Sequence, residues 1–169
     1  KRSFTEPKRK LPSPKQTVMT APRAPMKEYL LVDGYNIIFA WDELRALAQK
    51  SLDLAREELI NRLCSFQAIK GCEIILVFDA YKVKQNPGSI EHIHNISVVY
   101  TKEAETADSY IEKTAHELAK NYRVRVATSD GTEQLIILGS GAVRLSARLF
   151  HAEVAEVEKQ LREIIYGMS

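Results

Sequence analysis

Cysteine is scarce in this chain: 169 residues hold two, Cys64 and Cys72. Cys64 sits in a helical pattern and Cys72 follows Gly71 just ahead of a strand, so both read as reduced, buried thiols in a cytoplasmic setting rather than a disulfide scaffold. No apolar run reaches the length of a membrane span. The N-terminus is charged and proline-rich with no apolar centre, so no secretory signal is visible in it. Phosphate-cradling glycine motifs are missing: there is no Walker loop and no G-x-G-x-x-G. Gly139-Ser140-Gly141 follows a helical pattern rather than a strand and makes a weak cradle. No nucleophile elbow occurs. A zinc ligand set is lacking as well. His92 and His94 are two apart in a polar loop, but no third ligand accompanies them, so they read as surface histidines.

Proline is nearly absent beyond residue 27. Five of the six prolines fall in residues 1–27, and Pro87 is the sixth. Residues 1–27 also carry eight Lys/Arg against one Glu, a net of +7, without apolar periodicity. They read as a basic linker or disordered arm that is either a plain tether or a contact for RNA or a ribosome. The chain starts at Lys1, which is compatible with an upstream domain in a longer protein. Residues 28–169 hold 16 Lys/Arg against 21 Asp/Glu, a net of −5. The folded part is therefore no nucleic-acid binder by bulk charge. RNA would have to be held there by local cations or by metal ions that neutralise acids.

What is present centres on Tyr29-Leu30-Leu31-Val32-Asp33-Gly34-Tyr35-Asn36. A short apolar run ends on a carboxylate and then glycine, which predicts a buried strand delivering Asp33 to its carboxyl end, with Gly34 allowing a sharp turn. Ile37 to Trp41 is a second apolar patch, a covering loop or short helix. A helix is predicted from about Asp53 to Ile69, capped by Ser51 or Asp53 and stopped by Gly71. Glu73–Phe78 is an unbroken apolar strand ending at Asp79, as a central parallel strand requires. Tyr81 to Asn95 reads as a loop or short hairpin, Ile96–Tyr100 as a strand, and Ala107 to about Asn121 as a helix with Thr106 as its cap. Strand Val124–Thr128 leads into Ser129-Asp130. A short helix over about Thr132 to Leu138, a strand at Val143–Leu145 and a last helix from Ser146 complete the chain. That helix repeats Phe150, Val154, Val157, Leu161 and Ile164 at helical spacing. Strands alternating with helices predict an α/β fold, a mainly parallel sheet between helical layers.

Asp33, Asp79 and Asp130 each follow a strand, and Asp108 opens the helix after the third. Ligands of parallel α/β folds gather at strand carboxyl ends. Several acids facing one volume repel each other unless a divalent cation intervenes. Mg²⁺ or Mn²⁺ takes such hard oxygen ligands and supports phosphodiester hydrolysis. Any one of these aspartates alone is as readily a turn or a helix cap; four together point to a site. Around them, Asn36 is placed to orient Asp33, and Ser129 to bind phosphate or cap a turn. Lys82, Lys84 and Lys102 flank the acid-bearing turns and are candidates to grip phosphates. Arg56, off the apolar stripe of its helix, reaches either the acids or water. Glu105 and Glu133 are outer ligands or solvated caps.

Taken together, Leu31-Val32-Asp33-Gly34-Tyr35-Asn36-Ile37-Ile38, Val77-Phe78-Asp79-Ala80, Thr101 to Glu112, Thr128-Ser129-Asp130 and Ser146-Ala147-Arg148 resemble the YacP-like branch of the NYN domains, from about residue 28 to the end. The resemblance implies a PIN-like α/β/α sandwich and metal-dependent cleavage of single-stranded RNA. It maps the acidic site onto Asp33, Asp79, Asp108 and Asp130, with Asn36 beside the first and Mg²⁺ or Mn²⁺ as cofactor. Members of this branch include ribosome-associated endoribonucleases acting on mRNA. Similar domains end translational GTPases related to ribosomal-protection proteins. Two positions depart from the pattern: Gly131 stands where an aromatic is expected and Tyr81 where a histidine is. The competing expectation is a non-catalytic RNA- or ribosome-binding module on the same fold.

Overall fold

A computed structural model describes residues 26–82, 87–129, 137–138 and 141–167. Most of the basic arm, residues 83–86 with Lys84, residues 130–136 with Asp130, and residues 139–140 and 168–169 lie outside the described residues. Seven strands form one sheet in the order β3-β4-β2-β1-β5-β7-β6. They are β1 (Glu28–Asp33), β2 (Glu73–Phe78), β3 (Ile90–Ile93), β4 (Ile96–Tyr100), β5 (Arg123–Thr128), β6 (Ile137–Leu138) and β7 (Ala142–Ser146). The five inner strands, β4-β2-β1-β5-β7, pair in parallel, and β3 and β6 close the two edges antiparallel. The helices are α1 (Gly34–Ala40), α2 (Asp42–Lys50), α3 (Leu52–Lys70), α4 (Ala107–Leu118) and α5 (Ala147–Ile165), with a 3₁₀ turn at Ala80–Lys82.

β1 sits at the centre because it can be apolar on both faces. Leu30, Leu31 and Val32 are all essentially without solvent contact. Leu30 and Val32 point into one core with Leu59, Leu63 and Phe66 of α3 and Phe150 and Val154 of α5. Leu31 points the opposite way, into a smaller core with Val77, Val99, Val126 and the α4 residues Ile111 and Ala115. The period of two along a strand thus divides three consecutive apolar residues between two helical layers. Three layers result, as the alternation of strands and helices requires.

The helix ends follow their sequence signals. Ser51 accepts from the Leu54 N–H, Thr106 from Ser109 and Ser146 from Leu149. Gly71 follows α3 in the left-handed conformation, φ 77°, which costs glycine little. Trp41, between α1 and α2, donates its indole N–H to the Ala147 carbonyl at 2.9 Å and tilts against Phe150. Arg62 of α3 bonds Glu43 of α2 and Glu158 of α5, so one guanidinium ties three helices.

Several expectations need correction. Of the two alternatives for residues 37–41 the short helix is the one found, but it begins earlier, at Gly34 directly after the strand, and ends at Ala40. Helix α2 was absent from the sequence reading because it buries only Leu44 fully. For the polar stretch before β4 the hairpin alternative holds: it contributes β3, paired antiparallel to β4. The helix expected near 132–138 falls largely outside the described residues, but its last two positions, Ile137 and Leu138, are a strand paired to β7. Helix α4 stops at Leu118, earlier than expected. On α5, Ile164 is 63 % exposed and leaves the buried stripe that holds Phe150, Val154 and Val157.

Gly34 carries a different constraint from the one its neighbours suggest. It is helical, and it is not among the glycines with positive φ. A Cβ there would lie 2.3 Å from the Phe78 ring. That ring is fully buried and packed between Tyr35 and Tyr100, at centroid distances of 4.9 and 5.8 Å. Glycine is needed so that α1 can start flush against β2. Gly34→Ala is expected to destabilise the fold by about 2 kcal/mol or more through overpacking, read as a lower urea midpoint. An unchanged midpoint would show that the ring can yield.

Candidate active site

The strand order reverses direction at β1: β2 and β4 lie on one side of it, β5 and β7 on the other. Such a switch opens a crevice at the carboxyl ends of the central strands. Asp33 is the last residue of β1, Asp79 follows β2, and Ser129 follows β5. The sheet register therefore delivers polar residues from three adjacent strands to one crevice.

Asp33 is the unusual member, a carboxylate only 3 % exposed. Although it stands at the N-cap of α1, its side chain makes no capping bond. Its Oδ2 accepts from Asn36 Nδ2 at 2.7 Å and from the Thr128 hydroxyl at 3.5 Å. Burial pushes its carboxyl above the usual range. The Asn36 bond opposes this, the charges of Asp79 and Asp108 push it further up, and Thr128 pulls it down. Asn36 also accepts from the Ser129 hydroxyl through Oδ1. One carboxamide thus links the ends of β1 and β5 and fixes its own orientation by bonding at both ends.

Asp79 does two things. Its Oδ1 accepts the Ala107 N–H at 2.6 Å, holding the first turn of α4 against the end of β2. Asp108 is the next residue, exposed in that first turn. A carboxylate at a helix N-terminus is favourable on its own account, and here it also brings a third acid toward Asp33. Thr101, 1 % exposed, locks the same junction: its hydroxyl accepts the Ala80 N–H and donates to the Glu105 carbonyl.

A cleft of about 460 Å³ opens here, lined by Tyr35, Asn36, Phe39, Asp79, Tyr81 and Ser129 among others. A second, of about 410 Å³, adjoins it through Ala40 and Ser129 and runs past Glu43, Arg148 and His151. Of the acids expected from sequence, Asp33, Asp79 and Asp108 come within mutual electrostatic reach; Asp130 lies outside the described residues. Asn36 and Ser129 are at the cleft. Arg56 is not on its wall: it bonds the Tyr35 hydroxyl at 2.9 Å and pairs with Asp53. Lys102 is exposed beside Gly88. The side chain of Lys82 and Glu133 lie outside the described residues. Glu105 pairs with Lys113 and accepts from the Lys102 N–H, away from the cleft wall. Sequence reasoning missed Thr128, Phe39 and Tyr81 as parts of the site. Thr128 had a signal, its place at the end of a strand beside Ser129-Asp130; the two aromatics had only their nearness to Asn36 and Asp79.

A hard divalent cation fits this donor set. The groups at the crevice are carboxylate, carboxamide and hydroxyl oxygens, the preference of Mg²⁺ and Mn²⁺. Among the described residues no three His, Cys, Asp or Glu side chains close on one point as a ligand group, so a full cage requires more than Asp33, Asp79 and Asp108 as they stand. Neither His92, which bonds Ser97, nor His94 joins the crevice. Both cysteines are unbridged.

A family model described as the YacP-like NYN domain matches residues 30–168. The protein YacP of Bacillus subtilis (strain 168) is 44 % identical over 135 residues, covering 79 % of each chain. Two crystal structures of Rae1 (YacP) from Bacillus subtilis, one of them a point mutant, superpose with a TM-score of 0.70 at 40 % identity. They cover 83 % of this chain and 83 % and 80 % of theirs.

The crevice makes a prediction readable without any substrate. A carboxyl whose pKa is raised by folding stabilises the fold only when protonated; that stability is lost as pH rises through the folded value. At neutral pH and without divalent cations, Asp33→Asn is therefore expected to melt higher than the wild type, by about 2–4 °C per kcal/mol gained. Mg²⁺ or Mn²⁺ should raise the wild-type melting temperature and leave that of the variant unmoved. Equal cation-induced shifts in both would remove Asp33 from the ligand set.

Proposed function

Since the chain belongs to the YacP-like NYN domain family, a nuclease family with a PIN-like fold, we propose that it is a metal-dependent endoribonuclease acting on single-stranded RNA. The observation that supports this most is the buried Asp33 carboxylate at the strand switch, pushed out of its usual range by burial and by two neighbouring acids. A structural turn residue has no need of such a setting. Perturbed carboxylates in a crevice mark functional sites.

In this reading Asp33, Asp79 and Asp108, with Asp130 as the fourth, hold one or two Mg²⁺ or Mn²⁺ ions. Bound there, the metal supplies an activated water and charge to offset the phosphate. Asn36 holds Asp33 in one orientation through its 2.7 Å bond and is itself held by Ser129. Asp79 keeps the first turn of α4 at the crevice, so Asp108 is delivered by the same residue that binds beside it. Lys82, Lys102 and Ser129 contact phosphates along the RNA. Arg56 acts at one remove, by fixing the Tyr35 wall of the cleft. Hydrolysis adds water across one phosphodiester: a P–O bond forms to the water oxygen, the opposite P–O bond breaks, and the departing oxygen takes up a proton.

The acidic balance of residues 28–169 bears on context. Such a surface gathers little RNA by itself, so mRNA presented by a larger assembly such as the ribosome is the substrate we favour, in the cytoplasm. No helix among the described residues is long and apolar enough to cross a membrane. A translational GTPase upstream draws no support from the relatives, each matched over about four-fifths of its own length. The same acidic balance is what favours the rival reading, a non-catalytic RNA- or ribosome-binding module.

Cleavage of an unstructured RNA separates the two. The wild type should cut with Mg²⁺ or Mn²⁺, stop in excess chelator and recover when the cation is restored. Asp33→Asn and Asp79→Asn should lose roughly a hundredfold or more in kcat/KM, Asp33→Asn with its circular dichroism intact. A wild type that binds RNA but never cuts it would hand the case to the binding module, whereas an Asp33→Asn that cuts at the wild-type rate would overturn the role given to Asp33.

A further inference from the structure

Three aromatic side chains are strongly exposed among the described residues: Phe39, Tyr81 and Tyr166, at 44, 71 and 76 %. Two of these three line the acidic cleft. Phe39 reaches it from the last turn of α1, and Tyr81 from the 3₁₀ turn two residues beyond Asp79. Elsewhere the aromatic residues serve the core: Phe66, Phe78 and Phe150 have no solvent contact at all.

Both exposed rings stand on firm supports. Phe39 stacks on Tyr35 at a centroid distance of 6.4 Å and an interplanar angle of 30°. Tyr35 is held in turn by Arg56 at its hydroxyl and by Phe78 at its ring. The Tyr81 turn is anchored by the Ala80 N–H, bonded to the buried Thr101 hydroxyl at 3.0 Å. Their distance from the acids is thus set by ordered backbone. Two exposed aromatic rings lining one cleft with a carboxylate, a carboxamide and a hydroxyl match one ligand chemistry closely: a nucleotide, with an aromatic base on one side and a phosphate on the other.

We propose that Phe39 and Tyr81 are the base-stacking surface of this cleft and hold the base of the nucleotide adjoining the cut phosphate. This rests on the nuclease reading of the same site and narrows it. A base can lie on these rings only if its own faces are uncovered, so the substrate is unpaired at that position. Stacking is indifferent to base identity because every base has a π-face, so these two residues confer strand selectivity rather than a sequence code. The strand leaves past Ala40 and Ser129 into the adjoining cleft.

The test couples protein and RNA changes. In the Asp33→Asn background, used to silence cleavage, binding of a short unstructured RNA carrying a terminal fluorophore is followed by anisotropy in Mg²⁺. A single abasic nucleotide is walked along the strand. Removing Phe39 and Tyr81 together to alanine should weaken binding roughly tenfold or more. One abasic position should cost a similar factor with the rings present and almost nothing without them, and Tyr81→Trp should keep the affinity. Full affinity after both truncations overturns the proposal. A loss that every abasic RNA shares equally also overturns it, since the rings would then only shape the cleft. If the wild type fails to cut RNA but the coupling is found, the nuclease reading falls and the stacking surface stands. If the wild type cuts and the coupling is missing, the reverse holds.

Discussion

The structure is organised around a charge in an unfavourable place. Asp33 ends the central strand, has almost no solvent contact and lies within electrostatic reach of two further carboxylates. Water offsets such a charge at the surface, but here the protein must do so itself. It supplies one carboxamide at 2.7 Å and one hydroxyl at 3.5 Å, both on the same oxygen. These bonds and the repulsion work against each other, and burial still leaves the carboxyl lifted above its usual range. A fold selected for stability alone would end β1 on an apolar or neutral residue. Retaining an acid there exchanges stability for a capacity to bind positive charge.

Most of the remaining architecture serves to hold that position. Gly34 lets α1 start against Phe78 with no side chain intervening, which puts Asn36 one turn from Asp33. Asp79 spends one oxygen on the Ala107 N–H, so the helix carrying Asp108 is tied to the strand carrying Asp79. Thr101, buried and bonded on both sides, fastens the turn between them. On the far side Ser129 bonds Asn36 and closes the link between β1 and β5. The Asp79–Ala107, Thr101–Ala80 and Ser129–Asn36 contacts join segments far apart in sequence at the carboxyl ends of the strands, and they require the parallel register to be correct.

The layout of the fold was legible where one physical signal dominated. Apolar runs, unbroken from Ile74 to Phe78 in β2 and interrupted only by Ser97 in β4, marked both strands, because a strand covered on both faces tolerates little else. Serine, threonine and glycine marked the helix ends for the same reason. Legibility failed where tertiary pairing decided. Ile137 and Leu138 look helical by spacing, yet they form an edge strand because β7 offers them unpaired backbone groups. Gly34 was expected to allow a sharp turn, but the structure asks space of it: it is helical, without a positive φ, and faces the Phe78 ring. The aspartates stood out because acids after apolar strands are conspicuous. Phe39 and Tyr81 did not, since an aromatic residue in sequence gives no sign of whether its ring faces the core or the solvent.

Under the proposed function, that last point accounts for how an acidic domain favours RNA. Residues 28–169 carry a net negative charge, so long-range attraction cannot draw a polyanion to the crevice. Affinity must come from terms that act only at contact. Metal ions between carboxylates and phosphate are one such term, and rings against bases are another. Both are short-ranged, and both need the strand to be opened and threaded before they count. A basic cleft would hold any nucleic acid, paired or not, and release it with salt. An acidic cleft with exposed aromatics instead leaves duplexes unbound, because their charges are repelled and their bases are hidden. Selectivity for unpaired RNA then follows from what the surface refuses as much as from what it holds.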